Sequence, residues 1–233
     1  MPNNQYSGGL IMAAAQAHDD SKATEEKILA AAATLFQQNG YSRTKVIDIA
    51  RAAGITPPTL YWHFESKADI LYTFLHESLE DFLGRIAAAT AGIDDPAEAL
   101  ARFVAAHTRA QLSKLSQAHA FMSMTYSPTQ LASALSKDRY EVVREMHRRH
   151  VDQCRDLIGR GVEQGIFDVP NLTAVTFAVL NIAEYTATWF RPDGRLGVED
   201  VAQMNADFAL RIVAASPPTR RHSRKRVTNN ARR

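Results

Sequence analysis

Only one cysteine, Cys154, occurs in 233 residues. That excludes an internal disulfide and every cysteine-rich zinc motif. No run approaches the roughly 18 consecutive apolar residues of a membrane span. The largely apolar stretch Leu10–Ala17 is short and no basic residue precedes it, so it is not read as a signal peptide. The expectation is a cytoplasmic protein with no membrane partner. No stretch alternates polar and apolar residues with a period of two, which removes half-buried strands. A glycine-rich phosphate loop, a His-Glu-x-x-His pair and a nucleophile elbow are all missing. No enzymatic activity and no cofactor are expected.

What is present is ample apolar material, 45% of the chain, with charge unevenly distributed. From Pro217 to Arg233 there are seven Lys or Arg and no acid, leaving the rest with 20 bases against 25 acids. Residues 216–233 read as a basic disordered tail, suited to loose contact with polyanions. Residues 1–22 lack periodicity and read as a flexible arm.

Between these ends every segment reads as helix, so the fold class is all-α. Ile28, Leu29, Ala32, Leu35 and Phe36 recur at helical spacing, and Gly40 follows where a helix commonly ends. Ser66 with Asp69 three residues on predicts the start of a long helix. Asp95-Pro96-Ala97-Glu98 is a second start signal. A long helix is expected from Ser136 to Gly161 or Gly165. Another begins at Asn171 and ends before Pro192, and a last one spans about Val198 to Ala215.

The informative stretch is Thr44–Lys67, TKVIDIARAAGITPPTLYWHFESK. Thr44 can cap a short helix whose apolar stripe is Val46, Ile49, Ala50 and Ala53. Gly54 permits a sharp turn. Thr56 caps a second short helix opened by Pro57, with Leu60 and Phe64 facing inward. Two short helices joined by a glycine turn are the layout of a helix-turn-helix, whose second helix enters the major groove of DNA. Its outer side carries Pro57, Pro58, Thr59, Trp62 and His63. Thr59 can bond a base or a phosphate, and Pro58 and Trp62 offer apolar surface to thymine methyl groups. Thr56, Tyr61, His63 and Lys67 can reach phosphate oxygens, which set register without reading sequence. Thr44 and Lys45 complete the DNA-facing candidates.

This segment resembles the DNA-binding domain of the TetR family of transcriptional regulators. The resemblance covers about residues 24–72: the apolar first helix, Gly40-Tyr41, Asp48-Ile49-Ala50, Ala53-Gly54-Ile55, Leu60-Tyr61, Phe64 and Ser66-Lys67. It implies a helix-turn-helix domain at 23–70 and a helical ligand-binding and dimerisation domain at 71–215. It also implies a homodimer on a double-stranded operator, released by a small apolar or amphipathic inducer. Thr59 and Trp62 would sit near bases, and Tyr61, His63 and Lys67 near phosphates. One departure is Ile47, where members often place an arginine able to read guanine. The helices about Thr173–Phe190 and Val198–Ala215 would pair with their copies, since two half-sites about 34–36 Å apart require a dimer.

In Tyr140–Ile158 charged residues share one side, with Glu145 and Arg149 at a favourable i,i+4 spacing. His147, His150 and Cys154 lie on the opposite stripe. They can line a cavity, bind a metal in a metal-responsive regulator of the same fold, or be satisfied core residues. A helical enzyme with Cys154 as nucleophile is a remote alternative. Further cavity candidates are Phe103, His107, Phe121, Met122, Met124, Tyr126, Tyr185 and Trp189, a set of apolar walls with a few polar groups. Thr188–Gly194 resembles members that sense acyl-CoA thioesters. That likeness implies an apolar tail in the cavity, with Arg102 or Arg109 facing phosphates.

Overall fold

A computed structural model describes residues 6–125 and 128–214. The expected basic tail, residues 1–5 and Tyr126 lie outside the described residues. Every regular element among the described residues is a helix: α1 (Tyr6–Asn39), α2 (Val46–Ala52), α3 (Pro57–His63), α4 (Lys67–Thr90), α5 (Pro96–Ser113), α6 (Leu115–Thr125), α7 (Pro128–Ala134), α8 (Lys137–Glu163), α9 (Leu172–Glu184), α10 (Thr186–Trp189) and α11 (Val198–Val213).

Three of the expected start signals cap their helices. Asp95 accepts from the backbone N–H groups of Ala97 and Glu98, both at 2.8 Å. Asn171 accepts from Ala174 N–H at 2.9 Å. Ser66 accepts from Asp69 N–H at 3.1 Å, while the Asp69 carboxylate takes the Glu65 N–H at 3.2 Å. Such caps satisfy backbone donors that a helix end otherwise leaves orphaned.

Two expectations change. Residues 6–22, expected as part of an arm without periodicity, are helical: α1 starts at Tyr6. Alanines crowd Ala13–Ala17, and intrinsic propensity extends a helix without any amphipathic period. Secondly, Glu145 pairs with Arg148 rather than Arg149, at 2.5 Å. Glu141–Arg144 and Asp152–Arg155 repeat that i,i+3 spacing along α8.

The apolar side chains gather into two main clusters that share α4. The upper one holds Ile28, Phe36, Ile49, Leu60, Phe64 and the first half of α4, with Val143 and Met146 of α8. The lower one holds Ile86 at the far end of α4, with α5, α8, α9 and α11. α5 packs most extensively on α11 and α4. Asn205 of α11, fully buried, donates to the hydroxyls of Thr108 on α5 (3.1 Å) and Thr186 on α10 (2.8 Å). α4 is therefore a continuous rod from the first helices into the larger half.

Candidate nucleic-acid interface and ligand cavity

α2 and α3 are short helices that cannot hold themselves. Their inner sides are fastened to α1 and α4 by Ile49, Ala50, Leu60 and Phe64, all buried. Gly54 turns the chain between them at φ +70°, a conformation that side chains with a Cβ resist. Thr56 caps α3 by accepting from Thr59 N–H at 3.3 Å, and its hydroxyl lies 2.8 Å from that of Thr59.

With the inner side locked, the outer side of α3 is presented to solvent. Trp62 is 76% exposed and Tyr61 54%. Pro58, Thr59 and Lys45 are also exposed, while Pro57 is half-buried. Ile47 on α2 is exposed too. Large exposed aromatics on a fixed helix mark a contact surface. Arg43 before α2 and Arg51 in its last turn, not singled out in the sequence, are exposed cations. Lone surface arginines carry no local pattern that would have found them.

Three residues expected at the DNA are engaged within the protein. Thr44 is buried and does not cap α2, which starts after Lys45 without a side-chain cap. Its hydroxyl donates to the carbonyls of Gly40 (2.8 Å) and Leu35 (3.2 Å). Lys67 directs its ammonium to the carbonyls of Tyr41 (2.8 Å), Thr44 (2.9 Å) and Ser42 (3.5 Å), over the Tyr41 ring. Its donors are spent pinning α4 to the α1–α2 turn. His63 has a side chain only 4% exposed, and its Nδ1 lies 3.2 Å from Glu25 Oε1 on α1. It stands one turn from buried Leu60, on the inward side of α3, although it follows Trp62 in the chain.

Below this layer a cavity of about 1030 Å³ opens between α1, α4, α5, α6, α8 and α9. Phe121, Met122, His147 and His150 are among its lining residues. α1 and α4 also contribute, through Glu25, Leu29, Phe74, Glu77 and Phe82, none of which stands out in the sequence. The first two helices of that wall carry ordinary amphipathic patterns, so nothing local marks them as lining residues.

Other cavity expectations need correction. Phe103 and His107 stand behind the wall, with Phe103 stacked on His150 at 5.1 Å. Cys154 is wholly buried in the lower cluster, and burial pushes its thiol up to about 12. It is neither a nucleophile nor a thiolate ligand at neutral pH. Among the described residues no three His, Cys, Asp or Glu side chains are arranged to hold a metal ion. The metal-responsive reading has no support. Tyr185 and Trp189 are 50% and 47% exposed, and the helix expected to run from Asn171 towards Pro192 is interrupted at Tyr185 between α9 and α10. Arg109 is engaged with Glu199 and Arg102 with Glu98.

The deep end of the cavity is polar. His107 Nε2 lies 3.1 Å from Glu184 Oε2, and His107 Nδ1 3.3 Å from His150 Nε2. Burial pushes the Glu184 carboxyl up, but hydrogen bonds from His107 and Gln111 and nearby histidine charge outweigh it and hold it below its ordinary value. Burial keeps His147 and His150 below theirs. Gln111 Oε1, His147 Nε2 and His150 Nδ1 are buried without a partner among the described residues.

A solvent-exposed helix-turn-helix above, a cavity below and a shared rod between them are the layout of a DNA-binding regulator with a sensor half. Comparison with known proteins gives the same class: residues 28–72 match the model for bacterial regulatory proteins of the tetR family, and residues 93–213 the tetracyclin repressor-like C-terminal domain. The chain belongs to the TetR family of transcriptional regulators.

Among individual relatives, the chain is 27% identical over 186 residues to the HTH-type transcriptional repressor KstR2 of Rhodococcus jostii, covering 79% of this chain and 88% of that one. The TetR-family regulator PfmR of Thermus thermophilus is similar in structure, with 35% identity, a TM-score of 0.67 and coverage of 79% and 97%. AibR, crystallised with isovaleryl coenzyme A and operator DNA, shares the fold at a TM-score of 0.68 and 22% identity, over 79% and 97% of the two chains. Among the described residues no helix is long and apolar enough to cross a membrane.

Proposed function

We propose that this chain is a ligand-released repressor that binds its operator as a homodimer through α3. The observation that carries the reading is the exposure of Tyr61 and Trp62 on a helix whose opposite side is locked by Leu60 and Phe64. Thr59, Pro58 and Trp62 face base edges in this reading. Thr56, Pro57, Tyr61 and the cations Lys45 and Arg43 lie towards phosphates. The expected test is fluorescence anisotropy of the purified chain on the duplex upstream of its own coding region. Binding should exceed that to a scrambled duplex, and Trp62→Ala should abolish the difference. Equal affinity for both duplexes in the unaltered chain would defeat the reading.

Dimerisation through α9 and α11 is supported by an uncharged outer stripe. Ala174, Phe177, Ala178, Asn181, Tyr185 and Trp189 are all exposed there, and Phe208 is exposed on α11. A contiguous apolar surface of that kind calls for a partner, and two half-sites call for a second copy.

The cavity is the inducer site in this reading: Phe121, Met122, His147 and His150 contact the ligand, backed by Phe103 and His107. Its size and mixed apolar and polar lining suit an amphipathic molecule. The acyl-CoA form of the reading is supported by the isovaleryl coenzyme A held by AibR. KstR2 of Mycobacterium tuberculosis is described as a ketosteroid regulator, which supports a lipid-like body more broadly. The arginines first expected to meet CoA phosphates are engaged elsewhere. Release follows if ligand favours a conformer in which α4 holds α3 at the wrong spacing. Its differential affinity for the two conformers sets the limit of the effect.

A further inference from the structure

We propose that Ile47 is a specificity-determining residue that reads a thymine methyl group in the major groove, so that each half-site is recognised chiefly by the apolar surfaces of Ile47, Pro58 and Trp62. This deepens the operator-binding reading and rests on it.

The polar inventory of the two short helices comes first. The contacts that best tell bases apart use Arg or Lys on guanine, Asn or Gln on adenine, and Asp or Glu on cytosine. α3 carries none of these residue types, and no Asn, Gln or Glu occurs between Thr44 and Phe64. The charged side chains of α2 are Asp48 and Arg51, which pair with each other at 3.3 Å. On α3 the Thr59 hydroxyl is already bonded to that of Thr56. What the two helices do expose is apolar: Trp62, Ile47 at 50%, and Pro58. Trp62 is held in place, edge-on to the His63 ring at 4.8 Å and 87°.

The second observation is the setting of Ile47. It is the second residue of α2, and its neighbours Ile49 and Ala50 are buried in the same cluster as Leu60 of α3. The outer sides of α2 and α3 therefore open on the surface of one two-helix unit. Arg43 and Lys45 are exposed just before Ile47, and Arg51 one turn after it. The first helix of such a unit crosses the DNA backbone. The cations suit phosphates; an isoleucine among them does not, since its side chain neither donates nor accepts. An apolar side chain gains free energy on docking by leaving water against another apolar surface. Among the base edges of the major groove that surface is the thymine 5-methyl group.

The contact involves no charge. It changes which duplex is preferred without changing the salt dependence, which comes from the cations on phosphates. Ile47 thus adds sequence preference from α2, outside the reading helix itself.

The test uses the full chain and a duplex enriched from a random library by binding to it, with affinity read by fluorescence anisotropy. Each thymine of the enriched half-site is replaced in turn by uracil, which removes only the 5-methyl group. At one thymine the change should weaken the unaltered chain about fourfold, the worth of one buried methyl group, and Ile47→Ala not at all. At thymines met by Pro58 or Trp62 the loss should be equal in the two proteins. Ile47→Ala should keep its melting temperature and its salt slope. A half-site without thymine overturns the proposal. So does a uracil loss equal in both proteins at every position, the result expected if Ile47 rests on deoxyribose. A lowered melting temperature in Ile47→Ala, which would make the side chain a packing residue, also overturns it. In each of these cases an enriched duplex leaves the α3 reading standing. If no duplex is enriched over the starting library, the α3 reading falls and the proposal with it.

Discussion

Glu25 Oε1 on α1 and His63 Nδ1 on α3 lie 3.2 Å apart, with His63 almost fully buried and Glu25 on the cavity wall. One side-chain pair thus joins the sensor space to the helix carrying Trp62. Replacing His63 by Ala should weaken operator binding through a loosened α3. The slope of log affinity against log salt should stay unchanged, because no phosphate contact is lost. A slope reduced by about one would put His63 on the backbone of the DNA instead.

Lys67 gives the sharper contrast between fastening and contact. Its ammonium serves the backbone carbonyls that end the α1–α2 turn. Lys67→Met should cost about 1.5–3 kcal/mol in urea unfolding, the range for hydrogen bonds to a charged group. Unfolding free energy within ~0.5 kcal/mol of the unaltered chain would refute the structural assignment.

Trp62 and Thr59 should behave the other way. Both are exposed, so Trp62→Ala and Thr59→Ala should leave thermal stability almost unaltered. Each should cost about 1–3 kcal/mol on operator and little on random duplex, the scale of a base-edge contact. Equal losses on both duplexes would remove the base-reading role.

Acid should destabilise the fold over a window that the buried imidazoles define. His147 and His150 are held below their ordinary value by burial. The unfolded chain takes up those protons as pH falls below about 6.5, and the native state resists. The unfolded state then binds more protons, so stability declines as pH falls, by at most about 1.4 kcal/mol per pH unit per histidine. Glu184, held low, adds a loss in the same direction at lower pH, where the unfolded carboxyl protonates. Urea midpoints measured from pH 7.5 to 5.5 should fall, and the double change of His147 and His150 to Gln should flatten the dependence. A midpoint that rises with acid contradicts it.

The outer stripe of α9 should be the dimer contact. Phe177→Glu places a charge in its middle and should give a monomer by sedimentation with a large loss of operator affinity. A dimer that persists with full affinity would move the interface elsewhere.

Local chemistry made much of the reading helix legible. Capping residues, Gly54 and the i,i+4 pair Leu60 and Phe64 act over a few residues, and each works in the structure as its neighbours demand. The exposure of Trp62 follows from the same periodicity. For His63 and Lys67 a helical wheel gives a direction but not what stands in that direction. For His63 the answer is Glu25, 38 positions earlier, and for Lys67 the carbonyls of a turn 23 to 26 positions away.

The sequence by itself therefore determined the all-helical class, the helix limits set by caps and glycines, and the side of α3 left free. The tertiary structure alone decided the cavity. Its walls come from six helices far apart in the chain, and a void is a property of the distances between packed elements, not of any one element's pattern. It likewise decided that Gln111 Oε1 is left over and that Glu25 serves two masters, since hydrogen-bond partners are assigned only when the helices meet.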